Sequence, residues 1–485
     1  MAFLDGASWQ GNISLDGWRA GGDGDAPVIE PATGNEIART GRASVADVAV
    51  AGQIASEAQG EWASLLFTQR AAIIRKAAQL FVEHAHELSE WVVRESGGIG
   101  PKADLEIHVA SEECFEAAAL ASHPTGEILR SELPRLSFSR RVPAGVVGVI
   151  APFNFPLILS IRSVAPALAL GNAVILKPDP RTALCGGVVL ARVFEEAGVP
   201  PGVFNVLPGG ADVGEALVTD PRVRVIAFTG STAAGRVVGS LGAQHLKRVH
   251  LELGGNSALI VMGDVDLEKA VSVGAFGSFM HQGQICMTTG RHIVDSRIVN
   301  DYASLLAGHA DHLPVGDPMS GQVALGPLID AKQRDRVHSM VTDSVKAGAT
   351  LLAGGTFEGL FYRPTVLSNV PTSSPAYCEE VFGPVAPVVG YSSLDEAVAL
   401  ASSSPYGLSL GILSNDGLRA LELASRIPTG AIHINDQTVG DEAVIPFGGT
   451  GSSGNGSRMG GMANLEAYTE TQWVTAQSEM PVYPF

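Results

Sequence analysis

Apolar positions follow a helical period in the first part of the chain, then settle into short continuous runs separated by helical stretches. Residues 1–40 are rich in Gly and Asp with brief apolar alternations, and predict loops and small strands. Ser44-Val45-Ala46-Asp47 has the form of a capping box and opens a helix of Ala, Val and Ile. From Thr68 to Glu95 the positions Ile73, Ile74, Ala77, Leu80, Phe81, His84 and Leu88 recur roughly every 3.6 residues. That spacing predicts one longer second helix. Residues 124–142 break the rhythm: Arg and Glu surround Leu129, Leu133, Leu136 and Phe138, with Pro134 between them. A hairpin leaving the main body fits this pattern.

From Gly145 the pattern becomes strand, helix, strand, helix. Val146–Ala151, Ala173–Leu176, Val203–Leu207 and Val223–Phe228 are short apolar runs. Helical stretches over Leu157–Leu170 and Thr182–Ala197, and a short one from Asp212, separate them. Gly198, with Pro200 and Pro201 beyond it, stops the second. Continuous apolar strands alternating with helices predict an α/β fold with a parallel, doubly wound sheet. Such sheets bind ligands at the carboxyl ends of their strands. Here those ends carry Pro152–Pro156, Lys177-Pro178, Pro208-Gly209-Gly210 and Thr229-Gly230-Ser231.

After His292 the alternation restarts and predicts a second α/β domain. Its helices are expected at Tyr302–Ala310, Ala331–Ala347, Leu394–Ser402 and Leu418–Arg426. Its strands are expected near Leu351, Thr365–Leu367, Val385–Val389, Leu410–Leu413 and Ala431–Ile434. The glycine-rich run Gly448–Gly461 reads as a packed loop, because Pro446-Phe447 leads in and Leu465, Tyr468 and Trp473 lead out. Asn464–Val474 is expected to close the chain as a strand.

Composition narrows the function classes. The 485 residues are 46% hydrophobic, enough for two or more domains, each with its own core. A net charge of −18 argues against nonspecific nucleic-acid binding. No apolar run is long enough to span a membrane, and Met1–Gly6 lacks the charged-then-apolar start of a secretion signal. The four cysteines, Cys114, Cys185, Cys286 and Cys378, lie far apart. They suggest neither a disulfide framework nor a metal site, and a cytoplasmic protein is expected.

Chemistry concentrates in a few stretches. In Gln282–Arg291, Cys286 stands among small and polar residues just after the apolar run Ala270–Met280. A structural cysteine usually sits inside such a run. One placed where a helix gives way to a loop can be reached, and backbone N–H groups can stabilise its thiolate. Phe228–Gly235 places Gly230, Ser231 and Gly235 between a strand and a helix. Glycine there lets a backbone approach a pyrophosphate, although a tight strand–helix turn needs glycine too. In Leu251–Asn256, Glu252 is one carboxyl at an apolar strand end, where burial would raise its pKa toward that of a general base. In Pro152–Pro156, Asn154 is an amide among rigid apolar residues that can donate to an oxyanion, or simply satisfy a turn.

In order, the chain carries Pro152-Phe153-Asn154-Phe155-Pro156, Lys177-Pro178, Phe228-Thr229-Gly230-Ser231, Leu251–Asn256, Gly283-Gln284-Ile285-Cys286, Glu379-Glu380-Val381-Phe382-Gly383-Pro384 and Pro446-Phe447-Gly448-Gly449. This set resembles the NAD(P)-dependent aldehyde dehydrogenase superfamily. The run from Ile432 to Gly449 looks most like its benzaldehyde and vanillin dehydrogenase branch. The resemblance implies a Rossmann-type cofactor domain (1–123 and 143–252) and an α/β catalytic domain (253–447). It also implies a small bridging β hairpin used in oligomer formation (124–142 and 448–485), in a homodimer or homotetramer. By the same resemblance Cys286 is the nucleophile, Asn154 with the Cys286 backbone N–H the oxyanion hole, and Glu252 the base for thioester hydrolysis. Lys177 holds the adenosine ribose, Ser231 lies near the pyrophosphate, and Glu380 and Phe382 position the nicotinamide ribose and ring.

Three positions depart from the common pattern. Pro180 stands where many NAD-preferring members have Glu, His281 where Asn is frequent, and Phe153 where many have Trp. NAD is the expected cofactor, with NADP possible. An aromatic aldehyde is the expected substrate, held in an apolar slot of Phe153, Phe279 and Ile285, with Asn435 near the active site. An aliphatic aldehyde or semialdehyde, CoA-dependent acyl transfer, and an inert binding protein are the alternatives. Glu252 argues against CoA-dependent acyl transfer, and Cys286, Glu252 and Asn154 together argue against an inert protein.

Overall fold

The computed structural model describes residues 3–485; Met1 and Ala2, the start of the N-terminal stretch discussed above, lie outside them. Two seven-stranded sheets form its frame. The first runs Arg248–Glu252, Val223–Thr229, Val146–Ile150, Ala173–Lys177, Phe204–Val206, Asn12–Ser14, Trp18–Ala20. Its first five strands are parallel, and the last two join antiparallel at one edge. The second runs Thr350–Ala353, Thr365–Ser368, Val385–Tyr391, Thr289–Asp295, Ser257–Val261, Ser409–Leu413, Ala431–Ile434, with only Thr350–Ala353 antiparallel to its neighbour. Helices cover both faces, so central strands such as Val146–Ile150 and Ser257–Val261 are buried at every residue. Burial on both faces explains why they read as unbroken apolar runs.

The segment 124–142 does leave the body as a hairpin. Gly126–Ile128 and Leu136–Pro143 pair antiparallel, and the C-terminal strand Thr469–Ala476 joins them. This small sheet leaves Ile128, Leu136 and Trp473 exposed. The run Gly448–Gly461 is packed: Gly454 bridges to Glu252, and Met459 is buried in the first core.

Three readings need correction. The expected helix from Thr68 to Glu95 is two, Phe67–Glu83 and Ala85–Ser96. They part at His84, whose ring stacks on Phe3, while Glu87 accepts the Phe3 and Leu4 N–H groups. Docking of the N-terminal segment thus fixes the break. Thr182–Ala197 is not one helix either: a π-helical turn over Leu184–Val188 precedes an α-helix over Val189–Ala197. The buried Glu95 carboxyl takes the Leu184 and Cys185 N–H groups at 2.9 and 2.6 Å and holds that turn. Asn464–Val474 begins as a helix, Ala463–Tyr468, because Leu465 and Tyr468 both turn into the first core.

Gly100–Leu120 forms a 21-residue helix that the pattern gave no sign of. Its inward face carries Lys102, Glu106 and Glu113, which are buried in ion pairs and disguise the apolar stripe.

Candidate active site

The cysteine loop is held from several sides. Helix Leu267–Phe279 ends, and His281, Gln282 and Gly283 follow with φ of 47, 57 and 66°. Two consecutive non-glycine residues in the left-handed region are costly and need support. Gln282 Nε2 supplies it by donating to the carbonyls of Gly97 and Pro327, both at 2.9 Å. Gln284 Oε1 accepts the Ile329 N–H at 3.1 Å. At Gly283 a Cβ would stand 2.1 Å from the Gly383 carbonyl oxygen, so no side chain fits. The turn carries Cys286 into a cavity and leaves it partly accessible.

Asn154 lies between strand Val146–Ile150 and helix Pro156–Ala169. Its Nδ2 donates to the Gln284 carbonyl at 2.8 Å, which ties the amide to the cysteine loop. The helix start beside it is capped by Glu106, whose Oε2 accepts the Leu157 N–H at 2.9 Å. Glu252 ends strand Arg248–Glu252, is 3% exposed, and has no hydrogen-bond partner at either carboxyl oxygen among the described residues. Burial pushes its carboxyl well above the usual range, opposed by the charges of Arg162 and Arg458. Burial also pushes the Cys286 thiol up, and the Glu380 and Glu252 carboxyls add to the effect. Cys286, Glu252 and Asn154 line one cavity, together with Phe155, Ile285 and Phe447.

The expected cofactor residues gather at the carboxyl ends of the first sheet and across from them. Lys177 ends its strand and is buried, and burial lowers its pKa. Ser231 caps helix Thr232–Gln244 and accepts the Ala234 N–H. The Gly230 N–H donates to the Glu252 carbonyl at 3.0 Å and joins the two strand ends. Gly235 serves packing: a Cβ there would stand 2.3 Å from Leu253 Cδ2, so glycine lets the helix lie against that strand end. Glu380 reaches over Gly254, and its Oε1 accepts the Gly255 N–H at 3.0 Å. Burial pushes its carboxyl up to about 7. Phe382 has a left-handed backbone, φ 55°, and meets the Phe153 ring edge-on at 5.8 Å.

Of Phe153, Phe279 and Ile285, expected in the substrate slot, and Asn435, expected near the active site, three do not line this cavity. Phe153 turns toward Phe382 and the Arg181 guanidinium, 4.1 Å from its ring centre, on the side of the cofactor residues. Phe279 is buried in the core of the second sheet with Leu259 and Val261. Asn435 is a turn residue with φ 58°, and its Oδ1 accepts the Ser414 N–H at 2.9 Å. Ile285 alone of the four lines the cavity.

Two charged residues that line it were missed, Arg162 and Asp441. Arg162 directly follows the largely apolar stretch Pro156–Ile161, and a lone charge there was a usable signal. Leu105 and Val109, from the unforeseen helix, complete one wall.

Comparison with known proteins matches this architecture. The profile described as "Aldehyde dehydrogenase family" matches residues 18–474. A vanillin dehydrogenase of Amycolatopsis sp. is 64% identical over 100% of both chains. A benzaldehyde dehydrogenase [NAD(+)] of Pseudomonas putida is 48% identical over 98% of both. The crystal structure of a salicylaldehyde dehydrogenase from Pseudomonas putida, complexed with salicylaldehyde, superposes with a TM-score of 0.94 at 33% identity, covering 98% of this chain and 99% of that one. No helix among the described residues is long and apolar enough to cross a membrane. With a cysteine, a buried glutamate and an asparagine amide meeting in one cavity between two wound sheets, and with a family match over nearly its whole length, the chain belongs to the aldehyde dehydrogenase family.

Proposed function

We propose that the protein oxidises aromatic aldehydes of the benzaldehyde type to carboxylic acids, with NAD preferred and NADP also used. The observation that carries this reading is the meeting of Cys286, Glu252 and Asn154 in a cavity walled by Phe155, Ile285 and Phe447. The names of the vanillin and benzaldehyde dehydrogenases at 64% and 48% identity support the aromatic class.

In the proposed mechanism the Cys286 sulfur, as thiolate, attacks the aldehyde carbon and forms a tetrahedral alkoxide. One N–H of the Asn154 amide is committed to Gln284, and the second is free to donate to that oxygen beside the Cys286 backbone N–H. Bound NAD supplies the acceptor for the hydride that leaves the tetrahedral carbon. A thioester then remains on Cys286. Glu252, once ionised, takes a proton from water, whose oxygen attacks the thioester carbonyl. The acid departs and the thiolate is restored. The raised pKa of Glu252 makes it a stronger base than an exposed carboxylate.

The residues present fit the cofactor. Lys177, a buried lysine at the carboxyl end of a parallel strand, suits a ribose hydroxyl or phosphate oxygen. The N-terminus of helix Thr232–Gln244, opened by Ser231 and preceded by Gly230, suits a pyrophosphate. Gly235 supports that helix by close packing. Glu380 and Phe382 suit the nicotinamide ribose and ring. Pro180 is exposed and offers no carboxylate to repel a 2′-phosphate, which supports NADP use.

The division into cofactor domain (1–123, 143–252), catalytic domain (253–447) and bridging elements (124–142, 448–485) belongs to the same proposal. So does a cytoplasmic homodimer or homotetramer, assembled through the small sheet with exposed Ile128 and Trp473. The four free cysteines fit a reducing compartment.

The test is kcat/KM for benzaldehyde, vanillin, acetaldehyde and hexanal under one set of conditions with both cofactors. Burying a phenyl ring is worth about 2–3 kcal/mol over leaving it exposed. That corresponds to roughly 30- to 150-fold in kcat/KM if the gain persists in the transition state. Acetaldehyde or hexanal matching benzaldehyde would overturn the aromatic assignment. Repeating the assay with and without CoA separates hydrolysis from acyl transfer to a thiol.

A further inference from the structure

We propose that Thr438 is a positioning residue for the nucleophile: its hydroxyl locks the turn that carries Cys286 to the cavity wall that follows Thr438 in sequence, so that sulfur and wall are held as one unit. The proposal rests on the reading of Cys286 as the nucleophile and adds the residue that fixes where it stands.

Cys286 sits in a tight turn. The Thr288 N–H donates to the Ile285 carbonyl at 3.0 Å and closes it, and the Thr288 hydroxyl donates to the Gly283 carbonyl at 3.1 Å. Gly255 backs the turn closely: a Cβ there would stand 2.4 Å from the Cys286 carbonyl oxygen. The next carbonyl, that of the buried Met287, is taken by Thr438, whose Oγ1 donates to it at 2.6 Å. The same Oγ1 lies 2.8 Å from Thr289 Oγ1. A hydroxyl carries one proton, and Thr438 spends its own on Met287. Thr289 must therefore donate to Thr438, and the chain runs from the Thr289 hydroxyl through the Thr438 hydroxyl to the Met287 carbonyl.

The hold comes from the sheet and not from the loop itself. Thr438 is fully buried, and its own carbonyl accepts the Ser409 hydroxyl at 2.7 Å, from the start of strand Ser409–Leu413. Thr438 belongs to the run Ile432–Gly449, and the residues after it, Val439, Asp441 and Phe447, line the cavity of Cys286. Asp441 is pinned in turn to Arg162, at 2.6 Å, on the helix that starts beside Asn154. The wall segment is thus tied at one end to the turn of the nucleophile and further on to the helix next to the oxyanion amide. Without the Thr438 hydroxyl the Met287 carbonyl loses this partner inside the protein, and the turn gains by moving to find another. A shift of the nucleophile against a bound aldehyde costs rate even when its cause lies away from the chemistry.

The experiment compares Thr438→Val, which keeps the shape and loses the hydroxyl, with Thr438→Ser, which keeps the hydroxyl and loses a methyl group. Single-turnover NADH formation, with enzyme and NAD in excess over benzaldehyde, gives the rate of hydride transfer per competent site. Hydrogen exchange of the peptide Met280–Arg291, followed by mass spectrometry, reads the hold on the turn without substrate. Thr438→Val should slow NADH formation by about 5- to 100-fold, the range spanned by one unpaired buried group and by a displacement of roughly 1 Å at the reacting atoms. It should also speed exchange in that peptide and leave the KM for NAD unchanged. Thr438→Ser should rescue both rates. Thr289→Val should do less than Thr438→Val, because Thr438 still donates to Met287. A role in packing alone predicts the reverse order, with Ser impaired and Val normal, and that result overturns the proposal. Equal impairment of the two variants also overturns it, as does faster exchange in Thr438→Val with an unchanged single-turnover rate. If wild type oxidises hexanal and not benzaldehyde, the aromatic reading falls and the same comparison is decided with hexanal. If wild type forms NADH from neither, the functional reading and this one fall together.

Discussion

Gly254→Ala separates the fold from the cofactor site. A methyl group at Gly254 would stand 2.2 Å from Glu380 Oε2 and 2.6 Å from its carboxyl carbon. Ordinary contact begins near 3.4 Å, so the carboxyl has to shift by roughly 1 Å or more. That movement breaks the 3.0 Å bond it accepts from the Gly255 N–H. Gly254 is not among the residues of left-handed φ, so alanine is allowed on backbone grounds. The displaced atoms end a flexible side chain, and the fold should lose no more than about 1 kcal/mol, the net worth of one hydrogen bond. Function should lose more. If Glu380 holds the nicotinamide ribose through a charge-assisted hydrogen bond, about 1.5–3 kcal/mol is at stake. That is roughly 10- to 150-fold in kcat/KM for NAD. The assay is steady-state kinetics with NAD as varied substrate, with a thermal melt as control. A double-mutant cycle with Glu380→Ala identifies the route: once the carboxyl is gone the methyl group has room, and Gly254→Ala should add almost nothing. An equal loss in both backgrounds, or wild-type kinetics in the single variant, would refute the reasoning.

Two further outcomes are expected. Pro180→Glu should depress NADP use more than NAD use, because it sets a carboxylate where Lys177 would meet a 2′-phosphate; equal effects in a two-cofactor assay would show that this position does not select. Glu380→Gln should let the Cys286 thiolate form at lower pH. Glu380, with its pKa pushed up to about 7, is charged above that pH and raises the thiol, so removing the charge lowers the thiol pKa. Iodoacetamide alkylation rates of variant and wild type should then converge below pH 7 and separate above it, with the variant faster; superimposable profiles would contradict this.

The motifs around Cys286, Glu252 and Asn154 were legible because each lies where a strand or helix ends in turn-forming residues. Backbone constraints there act within a few residues, and the sequence records them locally. The parallel strands were legible for the same reason: burial on both faces leaves no polar positions. The cavity walls were not. Phe279 ends a helix so apolar that nothing in its pattern says which face meets substrate. Asn435 holds a left-handed turn, and its side chain is spent on the Ser414 N–H, a partner 21 residues away. Phe153 depends on where Arg181 and Phe382 lie, and both belong to other elements. The helix Gly100–Leu120, which supplies Leu105 and Val109 to the cavity, escaped notice because Lys102, Glu106 and Glu113 point inward. Lys102 and Glu106 pair with each other within the helix, but the partner of Glu113, Arg162, is remote in sequence, and a one-dimensional pattern cannot supply it.

The central claim is that an aldehyde passes through a thioester on Cys286 that Glu252 hydrolyses. It is tested most directly by mixing the Glu252→Gln variant with NAD and benzaldehyde, quenching after one turnover, and mapping the acyl group by peptide mass spectrometry. The amide keeps the shape of the carboxyl but cannot take a proton from water. The account predicts a burst of about one NADH per active site, then arrest, with the acyl group on the Cys286 peptide and none on Cys114, Cys185 or Cys378. Continued turnover at the wild-type rate, with Cys286 unmodified, would contradict it.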